Sequence, residues 1–205
     1  MLPTSSSIID DITKSYKAGL ASIAYFYFDF KDEAKKNARG ALSSLLVQLA
    51  AQSDAYSEIL YALYSENHAG SKQPTDGELK ETLTKMLSVP DQAPIYIVMD
   101  GLDECPDSMG APSPRENVLS LVDWLLSLHC SNLWLSITSR PEPDIAKVLK
   151  SLASHTIFLQ EETGQQEDIT NYIKWFVNSD PKARKWREQD KKLVIEKLSE
   201  RADGM

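Results

Sequence analysis

The chain has 205 residues, of which 42% are hydrophobic and 25% are charged, so it is long enough for one well-buried domain and part of a second. Its formal net charge of −8 excludes an overall electrostatic attraction to nucleic acid or to an anionic membrane surface. No apolar run approaches the roughly 20 residues that span a bilayer, and the two cysteines lack zinc-ligand spacing. We therefore expect a cytoplasmic protein with no membrane and no nucleic acid among its partners.

Four short apolar runs predict the strands of one sheet. They lie at residues 21–30, 95–99, 133–138 and 156–159. Each run is nearly unbroken by polar residues, which is typical of strands that are buried on both faces of a parallel sheet.

Apolar residues at helical spacing fill the segments between these runs. The helical stripes begin at Ile8, Leu42, Tyr56, Leu79, Val118 and Ile145. Gly19 is a predicted helix stop, and Thr75 with Glu78 forms a predicted capping box. Strands that alternate with helices predict an α/β fold, with a doubly wound parallel sheet that carries helices on both faces. Trp124, Trp134 and Trp175 are expected in the core.

The strand signals stop at residue 160, where a polar segment begins. An amphipathic helix is predicted around Ile169, Ile173 and Val177, and a last helix from about Asp190 to Ala202. We therefore predict an α/β domain over residues 1–160 and the start of a helical lid over residues 161–205.

The sharpest chemical signal is IYIVMDGLDEC at residues 95–105. Ligands of α/β sheets bind beyond the carboxyl ends of the strands, so Asp100 is predicted at the rim of a ligand crevice, where it can hold Mg²⁺. Gly101 permits a sharp turn that brings Asp103 and Glu104 back to the crevice, and one of them can activate water for attack on a phosphoryl group. We expect the three carboxylates to converge. The alternative is an ordinary polar turn whose aspartates cap the next helix.

A second apolar strand, at residues 133–138, ends in Thr138, Ser139 and Arg140. If it neighbours the strand that ends in Asp100, the Arg140 guanidinium faces the same crevice and can sense a γ-phosphate. The alternative is that Arg140 pairs with Glu142, Asp144 or the acidic motif and only balances charge.

Together FYFDF at 26–30, IYIVMDGLDEC at 95–105 and SITSRPEPDI at 136–145 resemble the NACHT-type nucleotide-binding domain of STAND signalling ATPases, most closely the fungal branch related to the nephrocystin-3 N-terminal module. The resemblance implies a P-loop NTPase sheet that binds ATP and Mg²⁺. It assigns Asp100 as the Mg²⁺-linked Walker B residue, Asp103 and Glu104 as the following catalytic acidic pair, and Arg140 as the nucleotide sensor.

The same resemblance implies an ATP-dependent switch that self-oligomerises through the NTPase domain and activates a fused effector, often in self/non-self recognition. Effector and repeat domains would flank this chain. The family carries a loop of the form GxxGxGK, followed by Ser or Thr, just before the helix that here reads SSSIIDDI, and the printed sequence contains no such loop. We therefore expect a sheet that is incomplete at its N-terminus and weak or absent ATP binding.

Three functional hypotheses follow from these residues. The first is an ATP-binding signalling switch that is incomplete in this chain, and the second is a degenerate interaction or oligomerisation module that no longer binds nucleotide. The third, a metal-dependent phosphohydrolase built on the three carboxylates alone, is disfavoured because the sequence offers no further ligand cluster.

Overall fold

The structure is a computed structural model that describes residues 5–108, 110–157, 165–180 and 183–201. Contacts within the chain group these residues into two compact units, one from Ser5 to Ala153 and one from Ser154 onward. The larger unit contains the sheet and both sequence motifs. The boundary that the sequence suggests, between residues 160 and 161, stays a prediction.

Three parallel strands form the sheet, in the spatial order β1 (Ser22–Tyr27), β2 (Ile95–Asp100) and β3 (Leu133–Ile137). Three predicted strands are thus confirmed, although the first ends at Tyr27 and not at residue 30. The fourth run, at 156–159, is only partly described: Thr156 and Ile157 are not in a strand, and residues 158 and 159 lie outside the described residues.

Six α-helices accompany the sheet in the larger unit. Their bounds are α1 Ser5–Lys17, α2 Ala38–Ala50, α3 Asp54–Glu66, α4 Asp76–Leu87, α5 Pro114–Ser127 and α6 Pro143–Leu152. The predicted capping box of α4 is confirmed, because the Glu78 N–H donates to Thr75 Oγ1 at 3.2 Å and the Glu78 carboxylate accepts from the Thr75 N–H at 2.6 Å. Gly19 follows α1 with a φ of +72°, the left-handed conformation expected just past a helix end.

Helices cover both faces of the sheet, so the predicted α/β class with a parallel sheet is confirmed. The larger core lies on one face, where odd-numbered residues of β2 such as Ile97 and Met99 pack with leucines of α2 and α5. On the other face Ile9 of α1 packs against Ile23 and Val98. The alternation of side chains along each strand places these two sets on opposite faces.

On the second face, α1 packs on β1 and β2, so this face is less covered at β3. Trp134 on β3 is 59% exposed, and its ring stacks on Tyr96 with centroids 6.3 Å apart. The prediction of a core position is therefore wrong for Trp134, and it is also wrong for Trp175, which is 63% exposed. Trp124 packs against the larger core.

The second unit contains α7 (Gln165–Ser179) and α8 (Glu188–Arg201), which pack against each other. Both helices confirm the sequence prediction, with α8 beginning two residues earlier than expected. None of the helices in the described part of the chain is long and apolar enough to cross a membrane.

Candidate functional site

The carboxyl ends of β2 and β3 lie side by side and carry the two predicted motifs. Asp100 is the last residue of β2, and Gly101 then adopts a φ of +69°, which favours glycine. A single 3₁₀ turn, Leu102–Glu104, follows, and its Glu104 N–H donates to the Gly101 carbonyl at 2.9 Å. Leu102, the first residue of this turn, is fully buried. The sharp turn predicted after the strand is therefore present.

The Asp100 carboxylate is held from two sides by hydroxyl groups. Its Oδ1 accepts hydrogen bonds from Ser5 Oγ at the start of α1 and from Thr138 Oγ1 at the end of β3. Thr138 Oγ1 also accepts from the Gly101 N–H at 3.1 Å. Ser5 is only 4% exposed, and its hydrogen bond together with that of Thr138 holds the Asp100 side chain at the edge of the sheet where the strands end. From the sequence, Ser5 is only a helix-start residue, since nothing there shows its approach to Asp100.

Asp103 and Arg140 form an ion pair across the two loops. The Arg140 backbone N–H donates to Asp103 Oδ1 at 3.0 Å, and Arg140 Nε lies 3.4 Å from Asp103 Oδ2. The Asp103 side chain is 11% exposed, whereas that of Arg140 is 77% exposed. Arg140 therefore pairs with the acidic motif in this structure, which is the alternative that the sequence left open.

The expected convergence of three carboxylates is not observed. Asp100 turns toward Ser5 and Thr138, while Asp103 turns toward the positive charge of Arg140. Across the described residues there is no group of three or more His, Cys, Asp or Glu side chains that could hold a metal ion. Asp103, Glu104 and Arg140 instead line an open groove of about 380 Å³, together with Phe30, Arg115 and Glu142.

Arg115 holds the acidic loop, residues 101–105, in place through hydrogen bonds to its backbone. Its side chain is 10% exposed, Nε donates to the Cys105 carbonyl at 2.9 Å, and Nη2 donates to the Asp103 carbonyl at 2.9 Å. These two bonds fix the backbone on both sides of Glu104. Arg115 was not among the predicted site residues, and its only signal in the sequence is its place in the first turn of α5, within the Ser113–Glu116 capping box.

The buried Arg115 guanidinium affects the pKa values of two neighbouring groups, Asp144 and Cys105. Arg115 Nη1 donates to Asp144 Oδ2 at 3.2 Å. Burial acts to raise the pKa of Asp144, but the hydrogen bond and charge of Arg115, together with the backbone N–H groups of Ile145 and Asp144, outweigh it, and the pKa lies below its ordinary value. Burial also raises the pKa of the Cys105 thiol to about 12, with a smaller opposing effect of Arg115. Cys105 therefore stays a neutral thiol near pH 7 and is a poor nucleophile.

The oxygen atoms at Asp100 are of the kind that Mg²⁺ prefers. The carboxylate of Asp100 and the hydroxyls of Ser5 and Thr138 are hard ligands, and Mg²⁺ commonly takes one or two protein oxygens while keeping several waters. The residues present therefore fit Mg²⁺ at Asp100 and Ser5. The roles of Asp103, Glu104 and Arg140 stay predictions.

Comparison with known proteins gives one family. A family model described as nephrocystin 3, N-terminal, matches residues 4–140. The match spans α1 to the end of β3 and includes the acidic motif and the second motif as far as Arg140. No curated protein and no solved structure matches the chain.

Proposed function

The chain belongs to the nephrocystin 3 N-terminal family, and we propose that it is part of an ATP-binding signalling switch of the NACHT and STAND type. In this proposal the chain supplies the Walker B motif of the switch. The observation that carries the proposal is the hydrogen bond between Ser5 Oγ, at the start of α1, and Asp100 Oδ1, at the end of β2. In P-loop NTPases the Ser or Thr of the phosphate loop, which directly precedes the first helix, and a strand-end Asp jointly hold Mg²⁺. Here the same two residue types meet at the rim of a parallel sheet.

Each residue at the rim receives a distinct role in this proposal. Asp100 would hold Mg²⁺, with the Ser5 hydroxyl beside it at the start of α1, and Mg²⁺ when bound neutralises charge on the nucleotide phosphates. Thr138 orients the Asp100 carboxylate through its hydrogen bond. Glu104 prepares a water molecule for attack, and Asp103, which pairs with Arg140 in this structure, is the second candidate for that role.

Arg140 would act as the sensor by exchanging partners. Its side chain is 77% exposed, so the guanidinium can leave Asp103 for a γ-phosphate. An exposed ion pair of this kind contributes about 1 kcal/mol or less, which a bidentate contact to phosphate can offset. In this proposal the Asp103–Arg140 ion pair therefore belongs to the nucleotide-free state of the site. The proposal also includes the cytoplasmic location expected from the composition and the self-oligomerisation that the family resemblance implies.

We predict that the 205-residue chain itself binds Mg-ATP only weakly. The phosphate cradle of backbone N–H groups and a lysine is not part of its sequence, and each charge-assisted contact is worth roughly 1.5–3 kcal/mol. The loss of several such contacts moves a micromolar site to the millimolar range. Calorimetry should show no tight site, and a dissociation constant of a few micromolar would contradict this expectation.

The function is tested by placing an upstream strand and a GxxGxGKS loop in front of Ser5. This extended protein should bind Mg-ATP with micromolar affinity, and changing the loop lysine to alanine should abolish the gain. If the extended protein folds but still fails to bind Mg-ATP, the family role in this chain is that of an interaction module, and the proposal of an ATP switch is wrong.

A further inference from the structure

A second groove, of about 470 Å³, lies between α2, α3 and the loop that leads into α4, and we call it the helical groove. Most of its walls are apolar, and they include the side chains of Leu46, Val47, Leu60, Tyr61 and Tyr64. Val47 is 62% exposed and Tyr61 is 69% exposed. None of the residues that line the helical groove lines the groove at the acidic loop. A mostly apolar concavity of this size is typical of a binding site.

The helical groove lies on the β1 side of the sheet. Its wall α2 also covers the β1 edge, where the Gln48 side chain exchanges hydrogen bonds with the backbone N–H and carbonyl of Tyr25 at 3.0 and 2.7 Å. Gln52 makes the same pair of bonds with Ile23, at 3.0 and 2.6 Å. An upstream strand of the kind that the proposed function requires therefore belongs beside β3, at the other edge of the sheet, and does not cover the helical groove.

Asn67, directly after α3, brings a buried polar side chain to the helical groove. It is 2% exposed, and both its backbone N–H and its side-chain Nδ2 donate to the Leu63 carbonyl, at 3.1 and 3.0 Å. Because a carbonyl oxygen only accepts, the amide atom beside it is Nδ2. The other amide atom, Oδ1, accepts no hydrogen bond from a described residue. Buried acceptors are nearly always paired, so Oδ1 indicates a ligand that donates to it.

The loop after Asn67 holds this arrangement in place. The N–H groups of Gly70 and Lys72 both donate to the Asn67 carbonyl at 3.2 Å. Gly70 also lies directly against the Tyr64 ring, because a Cβ atom at this position would be 2.8 Å from Tyr64 Cε2. One turn therefore fixes both Asn67 and the aromatic wall of the helical groove.

The charge around the helical groove is negative on balance. The two basic residues beside it, Arg39 and Lys72, are each paired with an acidic residue of α4. In contrast, α3 contains three acidic residues and no basic one. Two of these, Asp54 and Glu58, form no ion pair within the described part of the chain. Charge complementarity therefore favours a cationic partner over an anionic one.

The group that matches Asn67 Oδ1 is one that donates a hydrogen bond and accepts none. A hydroxyl or an amide would bring an acceptor of its own between the apolar walls, where it would stay unpaired. The indole of tryptophan is flat and apolar over most of its surface, and it carries one N–H donor and no acceptor. Tryptophan is also enriched among the residues that dominate binding energies at protein interfaces.

We propose that the helical groove binds a segment of a partner protein that carries one tryptophan between basic residues. The indole ring packs between the apolar walls, and its N–H donates to Asn67 Oδ1. The flanking basic side chains lie toward Asp54 and Glu58. This interaction uses neither Asp100 nor Arg140, so it does not depend on nucleotide binding, and either proposal can fail alone.

Labelled peptides test the chemistry on the 205-residue chain by fluorescence anisotropy. The probe is the capped peptide KKWKK, and methylation of its indole nitrogen should weaken binding by about 10-fold, because the donor to a buried acceptor is lost. Methylation of the benzene ring of the indole is the matched control, since it adds the same group and keeps the N–H, and it should leave the affinity unchanged. If nitrogen methylation has no effect, or if KKWKK does not bind, the proposal is overturned.

Val47→Arg tests the location. Val47 lines the helical groove and is 62% exposed, so this substitution places a bulky cation there while the core stays intact. We expect KKWKK to bind at least about 10-fold more weakly. Leu20→Arg makes the same change of charge at a residue that is 67% exposed and outside the groove, and it should bind KKWKK like the parent chain. An equal effect of the two substitutions would show unspecific attraction between charges and would overturn the proposal.

Free indole distinguishes a partner segment from a small molecule. At low salt we expect KKWKK to bind at least about 10-fold more tightly than free indole, and the difference should shrink as salt is added, because only the peptide reaches Asp54 and Glu58. If free indole binds as tightly as the peptide, the helical groove takes a small molecule, and the proposal of a partner segment is wrong.

Discussion

Glu104→Gln is expected to slow ATP hydrolysis by about 100-fold or more, with Mg-ATP affinity unchanged, in the form of the protein that carries a phosphate loop ahead of Ser5. General-base catalysis contributes roughly 10²–10⁴ in rate, and glutamine keeps the size and hydrogen bonding of the side chain while removing the base. Glu104 follows the buried Leu102 in a turn whose backbone Arg115 fixes. The substitution should therefore leave the fold and the Mg²⁺ end of the site intact.

Asp100→Asn should give the opposite pattern. The amide oxygen can still accept from Ser5 and Thr138, but the negative charge that attracts Mg²⁺ is lost. Removal of one charge-assisted contact, worth roughly 1.5–3 kcal/mol, corresponds to a 10- to 100-fold loss of Mg-ATP affinity.

Two further variants complete this experiment. Asp103→Asn is the control for the base role, and Arg140→Ala should reduce discrimination between ATP and ADP because only ATP carries the γ-phosphate. Affinities for both nucleotides and single-turnover hydrolysis should be measured for all four variants. If Glu104→Gln lost binding as severely as Asp100→Asn, with the circular dichroism spectrum unchanged, the division of labour would be wrong.

Arg115→Met is expected to lower the free energy of unfolding by roughly 3 kcal/mol, since removal of one member of a buried charged network costs about 3–5 kcal/mol and Asp144 here remains partly exposed. The side chain of Arg115 is 10% exposed and that of Asp144 is 48% exposed. The carbonyls of Cys105 and Asp103 would also lose their donors.

Arg140→Met is the matched control for this prediction. It removes the other arginine of the site, whose side chain is 77% exposed, and should cost no more than about 1 kcal/mol. Urea denaturation of both variants measures the difference. Equal midpoints would show that Arg115 does not hold the acidic loop in place.

The same contact predicts a pH dependence. The folded-state pKa of Asp144 lies below its unfolded value of 3.8, so the stabilisation is fully present above that value and is lost as the pH falls through the folded pKa. The Arg115→Met protein should lack the part of this contribution that comes from Arg115, while the backbone hydrogen bonds to Asp144 remain. Its unfolding midpoint should therefore fall less steeply below about pH 4 than that of the parent chain.

Much of the fold follows from local sequence. Strands β1, β2 and β3 are nearly unbroken apolar runs, and the Thr75–Glu78 capping box and Gly19 act through contacts within a few residues. These signals are local and hence readable. The exposure of Trp134 could not be predicted, because it depends on how far α1 extends across the opposite face of the sheet.

The two motifs of the site were predictable from the sequence, but Ser5, Arg115 and the arrangement of the side chains were not. Strand ends and Gly101 indicate that Asp100, Asp103 and Arg140 share one rim, since parallel strands end on the same side. Which partner each side chain takes depends on residues far apart in the chain, such as Ser5 and Asp100, or Arg115 and Asp144. The hydrogen bonds from the β1 backbone N–H groups of Tyr25 and Ile23 to the side chains of Gln48 and Gln52 on α2 could not be predicted for the same reason, because these glutamines look like ordinary helix-surface residues in the sequence.

The most direct test of the central claim is to find where Mg-ATP binds on the protein. Mn-ATP replaces Mg-ATP as a paramagnetic probe, and its effect on the amide signals is measured by nuclear magnetic resonance spectroscopy. This measurement detects millimolar binding, so it applies to the 205-residue chain. We predict selective broadening of the Ser5, Gly101 and Thr138 signals, because these residues surround the Asp100 carboxylate, and loss of that broadening in Asp100→Asn. Selective broadening on another surface, or identical spectra for the parent chain and Asp100→Asn, would contradict a nucleotide-linked metal site at Asp100.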